Sequence, residues 1–217
     1  MKETILVISA TEAECAPFLR SLVECKAISQ NLYSGRWEER QFDVLVTGIG
    51  NVATCFHLAQ TLMQRSYSSA ISIGIAGSFT ETITIGETVQ ITEDCFADLG
   101  VDNNGQFRSL KEEGLQGDDF LGNPFPLPTK HREVRGITVQ TASGSQKRID
   151  ELIEKFHPQI ETMENAAFFY VCRMMNIPFA SFRGISNKVE PRNRKNWRIT
   201  EAIENVNEAL RNLIGIF

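Results

Sequence analysis

Apolar residues enter this chain in short β-branched runs, and helical spacing fills the gaps between them. TILVISA (4–10) predicts a buried strand. Residues 12–23 then read as a helix with Thr11 as its cap, although Pro17 falls inside it. AISQNLYSGRWEERQFDVLVTG (27–48) reads as two strands joined near Ser34-Gly35. After GIGN, residues 52–65 read as a second helix, and SAISIGIAGS (69–78) as a buried strand running into a glycine-rich turn. ETVQITEDCFADLG (87–100) is a strand leading into loop, and residues 100–133 form the longest irregular segment. VRGITVQTASG (134–144) is a strand, 146–156 a helix, 160–163 an extended piece, and Glu164 opens the helix NAAFFYVCRMM. IPFASFRGIS (177–186) is the last strand. Residues 200–213 are the last helix, with Ile203, Val206, Leu210 and Leu213 on one face. Strands alternate with helices, which predicts an α/β fold with a mixed, largely parallel sheet, residues 1–217 forming a single domain.

Composition narrows the function. A net charge of -5 over 217 residues argues against a nucleic-acid binder, which would show a basic face. No stretch approaches the roughly 20 apolar residues of a membrane span, and MKETILVISATEAE lacks the form of a signal peptide. Five cysteines without a CxxC pair fit reduced thiols in a cytoplasmic protein. The three histidines, His57, His131 and His157, are not spaced as metal ligands, so no metal site is expected.

Several motifs carry two readings. Gly48-Ile49-Gly50 follows a strand and opens a helix, as a dinucleotide fingerprint does. Such a site needs an acidic residue at the end of the next strand, and that strand ends Gly74-Ile75-Ala76-Gly77 instead. The glycines then serve a tight turn or a close approach to a ligand. Between positions 42 and 107 the only Lys or Arg is Arg65, so neither glycine loop has a cation beside it for a phosphate. Glu12 and Glu14 either face a crevice at the strand end or complement a helix start. Glu164, beside Met163, carries the same two readings. Asn187 is a turn residue or a ligand group, and the run Arg192, Arg194, Lys195, Arg198 is a solvated loop or an anion site.

ISATEAE, VTGIGNVAT, SIGIAGS, IGETVQITED, ETMENAAFFYVC and IPFASFRGISN occur in an order that resembles the purine nucleoside phosphorylase and methylthioadenosine nucleosidase superfamily over nearly the whole chain. FADLG and ISN…PRNRKNW look most like the futalosine hydrolases of menaquinone biosynthesis within it. The resemblance implies a three-layer α/β/α fold, a purine nucleoside as the small-molecule substrate, no cofactor, and a homo-oligomer, with Phe107 a candidate for a loop residue that completes a neighbour's site. It implies that Glu14 activates water, that Glu164 with Met163 grips the ribose, and that Ala76 and Gly77 offer backbone contacts to sugar and base. Asn187 stands where methylthioadenosine nucleosidases carry an aspartate. A leaving hypoxanthine protonated at N7 offers one donor and one acceptor, which an amide matches; a leaving adenine offers two donors, which suit a carboxylate. Futalosine also carries a carboxylate on its 5′ side, for which Arg192, Arg194 or Arg198 are candidates, with Trp197 to stack on the ring.

Overall fold

The computed structural model describes residues 4–117, 120–124 and 127–213. Asp118, Asp119, Phe125 and Pro126, part of the segment read as irregular, lie outside the described residues, as do the first three and last four positions. The first half runs β1 (Thr4–Ser9), α1 (Glu12–Ser21), β2 (Val23–Ala27), β3 (Leu32–Trp37), β4 (Arg40–Val46), α2 (Asn51–Gln64) and β5 (Ser69–Ser78). β6 (Thr88–Asp94), β7 (Gly100–Asn103), β8 (Gln106–Ser109), β9 (Leu121–Gly122) and β10 (Arg132–Thr138) follow. Last come α3 (Gln146–Phe156), β11 (Ile160–Thr162), α4 (Asn165–Met174), β12 (Phe179–Lys188) and α5 (Ile199–Leu213).

Strand order in the main sheet is β11-β10-β6-β12-β5-β1-β4-β3-β2, with β9 on β6. The central pairs β4–β1, β1–β5 and β5–β12 are parallel, as is β6–β10, whereas β6–β12 and β3–β4 are antiparallel. β11 returns to pair with β5 through Ile160↔Ser78 and Glu161↔Gly77, so five strands close into a ring at one end of the sheet. The alternation of β1 sorts its side chains into two cores. Leu6 and Ile8 pack with Leu58 of α2 and Phe168 of α4; Ile5 and Val7 pack with Phe18 of α1 and Val206 of α5. The sheet is therefore covered by helices on both faces, as three layers require. A third cluster joins Ile137 of β10 to Leu152 and Phe156 of α3.

Three local readings need correction. Ser34-Gly35 is not a turn: it lies inside β3, and the chain reverses at Glu38-Glu39, where Glu38 has φ 52°. Gly35 is there because β2 passes close, an added Cβ lying 3.2 Å from the Cys25 Cα. Gly74 to Ser78 is likewise strand, the C-terminal half of β5, not a turn. Residues 100–109 are not irregular, since β7 and β8 form a hairpin with Asn104 and Gly105 at positive φ.

Candidate active site

Glu14 is placed by a capping box. Thr11 is the N-cap of α1, and its hydroxyl accepts from the Glu14 amide. Glu14 Oε2 accepts from Thr11 N at 3.0 Å and from Thr11 Oγ1 at 2.9 Å. The other oxygen, Oε1, accepts from Ile75 N of β5 at 3.0 Å. This contact explains Gly74, where an added Cβ would stand 2.8 Å from Glu14 Oε1. A carboxylate reaches the strand backbone because the neighbouring residue has no side chain.

Glu164 is the N-cap of α4, and its Oε1 accepts from Gly50 N at 2.9 Å. Gly48 and Gly50 have φ of 85° and 91°, a left-handed backbone that favours glycine, and they turn the Gly50 N–H toward α4. The GIGN motif therefore presents a backbone donor to the second glutamate. Glu14, Glu164 and Arg183 line one cavity, together with Ala10, Thr47, Ser72 and Gly74. Burial holds the Glu164 carboxyl above the usual carboxylate range; the Gly50 N–H and the charge of Arg183 oppose that shift, and Glu14 adds to it.

Arg183 falls within the RGISN motif, which by itself assigns it no role. It is only 3% exposed. Its guanidinium donates to Ser72 Oγ, Ser181 Oγ and Phe182 O at 2.8–3.1 Å. Burial works against its charge, and Glu164, Glu14 and Asp94 all favour it. The signal available in the sequence was the pair of serines, Ser72 and Ser181, on adjacent strands in register.

Asn187 lies at the end of β12. A register shift between Ile185 and Asn187 sets Asn187 opposite Gly77 of β5. An added Cβ on Gly77 would meet Asn187 Nδ2 at 3.1 Å and Val189 Cγ2 at 2.8 Å. Ser186 Oγ donates to Asn187 Oδ1 at 2.8 Å, and Nδ2 donates to Lys188 O at 2.7 Å. Ser186 Oγ also lies 3.2 Å from Ala76 O. The four residues from Gly74 to Gly77 thus gather Glu14, Arg183, Ser186 and Asn187 along one strand edge. Met163, half-buried, sits between β11 and the cap of α4.

The basic tail divides in two. Arg192 and Arg194 flank Trp197, their guanidinium carbons 5.8 and 5.7 Å from the ring. Arg198 instead lines an open pocket of about 380 Å³ with Lys188, Lys195, Asn196, Glu190 and Ile85. Its amide donates to Ser186 O at 2.8 Å, which ties this pocket to the Asn187 strand end. Phe107 lies against Phe156 of its own chain, 5.9 Å between centroids. Among the described residues no helix is long and apolar enough to cross a membrane.

This fold is shared with known proteins. Residues 4–217 match the Phosphorylase superfamily, and the chain belongs to it. Among its relatives, the futalosine hydrolase of Thermus thermophilus is 30% identical over 184 residues, 80% of this chain and 81% of that one. The 5′-methylthioadenosine/S-adenosylhomocysteine nucleosidase of Shewanella oneidensis is 29% identical over 161 residues, 67% of this chain and 66% of that one. The crystal structure of such a nucleosidase from Colwellia psychrerythraea, in complex with adenine, superposes with a TM-score of 0.85 at 18% identity, covering 99% of this chain and 96% of that one. The chain is an N-glycosyl hydrolase of the purine nucleosidase type.

Proposed function

We propose that this protein hydrolyses the N-ribosidic bond of futalosine, releasing hypoxanthine, in menaquinone biosynthesis. The observation that carries the choice of base is the amide of Asn187 beside Gly77, where adenine-specific relatives would present a carboxylate. Identities of 30% and 29% to the two classes of relative do not separate them, so the side chains must.

N-ribosidic cleavage develops oxocarbenium-like charge on the sugar. In this reading Glu164 holds the ribose hydroxyls, and its charge favours the cationic sugar. Glu14 takes a proton from the attacking water. Arg183 supports ionised Glu164 in a buried site, as its effect on that carboxyl indicates. Glu14 and Glu164 line the same cavity, and carboxylates there suit a sugar that becomes positive. Ala76 and Gly77 present backbone to sugar and base. Ile75 and Gly77 are two residues apart on one strand, about 7 Å, a span suited to a nucleoside. Asn187 reads N7 and the 6-oxo group. An amide is no general acid, so the proton on the base comes from water or another group. The 5′ carboxylate pairs with Arg198, or with Arg192 and Arg194 beside Trp197. No phosphate takes part. Base release that is unchanged by added phosphate and yields the free sugar supports hydrolysis; a sugar 1-phosphate product would refute it.

The same reading includes a homo-oligomer. Val52, Phe56 and Met63 of α2 are 60–78% exposed, as are Ile49 just before α2 and Met174 at the end of α4. A second copy of the chain covers this face. The patch begins beside Gly50, whose N–H binds Glu164, so an interface there would steady the ribose carboxylate.

A further inference from the structure

Behind the two glutamates a buried polar chain leads from Arg183 to residues that the proposed chemistry leaves unused. Arg183 presents two edges. Its Nε lies 3.6 Å from the position of a Cβ on Gly74, the same position that is 2.8 Å from Glu14 Oε1. Its Nη edge faces inward, Nη1 donating to Ser181 Oγ at 3.1 Å and Nη2 to Ser72 Oγ at 3.0 Å. Asn165 Oδ1 accepts from Ser181 Oγ at 2.5 Å and from Arg183 Nη2 at 3.5 Å. The other end of that amide, Nδ2, donates to Asp94 Oδ2 at 2.9 Å. Asp94 Oδ1 accepts from Thr138 Oγ1 at 2.9 Å, and that hydroxyl accepts from Ala166 N at 2.8 Å. Asp94, Thr138, Asn165 and Ser181 are all 0% exposed.

From this geometry we infer that Asp94 is a positioning residue for Arg183, acting through Asn165 and Ser181; the inference rests on the nucleosidase reading above. The chemistry gives the chain its direction. A carboxylate facing Asn165 offers only acceptors, so the amide turns its NH2 toward Asp94. That leaves Oδ1, an acceptor, for Ser181 and the guanidinium. Were the amide reversed, its donors would face the donors of Arg183, and the Nη edge would lose a partner in a dry site. Held from behind, Arg183 keeps its Nε edge toward Gly74 and Glu14. Close packing holds Asp94 in place too, since a Cβ on Gly136 would stand 2.5 Å from its Oδ2. Burial raises the Asp94 carboxyl to about 7, while the Asn165 and Thr138 hydrogen bonds and the Arg183 charge pull it down. A carboxyl kept at that cost away from the substrate cavity is better explained by a role than by packing alone.

Asp94→Ala, Asp94→Asn, Ser181→Ala and the double variant Asp94→Ala/Ser181→Ala test this. An asparagine at 94 still accepts from Asn165 while donating to Thr138, so it preserves the chain; alanine cuts it. Asp94→Ala is expected to lower kcat about tenfold or more with KM within about twofold, and Asp94→Asn to recover most of the loss. Ser181→Ala also lowers kcat, and adding it to Asp94→Ala costs little more, because one chain is cut twice. The nitrogen-15 signal of the Arg183 side chain, assigned by its loss in Arg183→Lys, shifts in both alanine variants and returns in Asp94→Asn. Unchanged kcat and an unmoved Arg183 signal in Asp94→Ala, with only a lower Tm, would reduce Asp94 to a packing role and overturn the inference. If Asp94→Ala does not fold, Ser181→Ala decides by the same two readouts. If the unsubstituted protein cleaves none of the purine nucleosides offered, the nucleosidase reading fails, and the Arg183 signal alone decides the positioning.

Discussion

Glu14 shows how one side chain satisfies two readings at once. In the sequence, an acidic residue three positions after a threonine is a helix start. In the structure it is that, through Oε2, and it is also the carboxylate at the strand end, through Oε1. The helix cap is what fixes the carboxylate to which the proposed function assigns water activation. Glu14→Gln retains the size but loses the base, and its NH2 replaces one of the two oxygens that accept from Thr11 N and Ile75 N. Substrate binding is expected to persist while kcat falls about 10²–10⁴-fold, the usual worth of a general base; binding by calorimetry and single-turnover base release measure the two separately. A rate within twofold of the unsubstituted protein would remove Glu14 from water activation. In the proposed function Asn187 is the specificity residue at this scale. Asn187→Asp is expected to move the ratio of kcat/KM for methylthioadenosine over futalosine upward about tenfold or more, since one mismatched buried polar group costs about 1–3 kcal/mol. An unmoved ratio means that Asn187 does not read the base.

β5 is the element on which the site is assembled. Its hydrophobic run was legible, because Ile71 and Ile73 are buried and alternate as a strand must. Its glycines were misread as a turn, because glycine signals both a turn and a close approach, and only tertiary packing tells them apart. The same ambiguity misplaced the turn of β3, where Gly35 marks the passage of β2. Gly74 is thus predicted to be intolerant for a local reason. Gly74→Ala pushes on Glu14 Oε1 and is expected to lower kcat about 10²-fold, as a carboxylate misplaced by roughly 1 Å would. Overpacking costs about 1–3 kcal/mol, so thermal unfolding should show a folded protein. Full activity in that variant would separate Glu14 from the strand contact. Arg183 was not legible as a site residue, since no spacing rule announces a buried arginine; its partners come from β5, α4 and its own strand.

For the whole molecule, alternation of strands and helices gave the class, and the boundaries of α3 matched the expected residues 146–156. The closing of β11 onto β5 was not readable, because a three-residue strand carries too little pattern to show its partner. Nor was the exposed stripe on α2, since helical spacing alone does not tell whether a face is covered. Phe56→Glu places a charge in that stripe. It is expected to convert an oligomer to a monomer in light scattering and to weaken substrate binding through the Gly50 loop. A protein that is monomeric before substitution would refute the interface.

The most direct test of the functional reading is base release by the purified protein. Futalosine, inosine and methylthioadenosine are each offered with and without phosphate, and the products are separated by chromatography. Hypoxanthine from futalosine, at a rate indifferent to phosphate and with little release from the other two, is the expected result. Adenine from methylthioadenosine as the dominant product would contradict the Asn187 assignment and the role of the basic tail, while leaving the fold and the two glutamates in place.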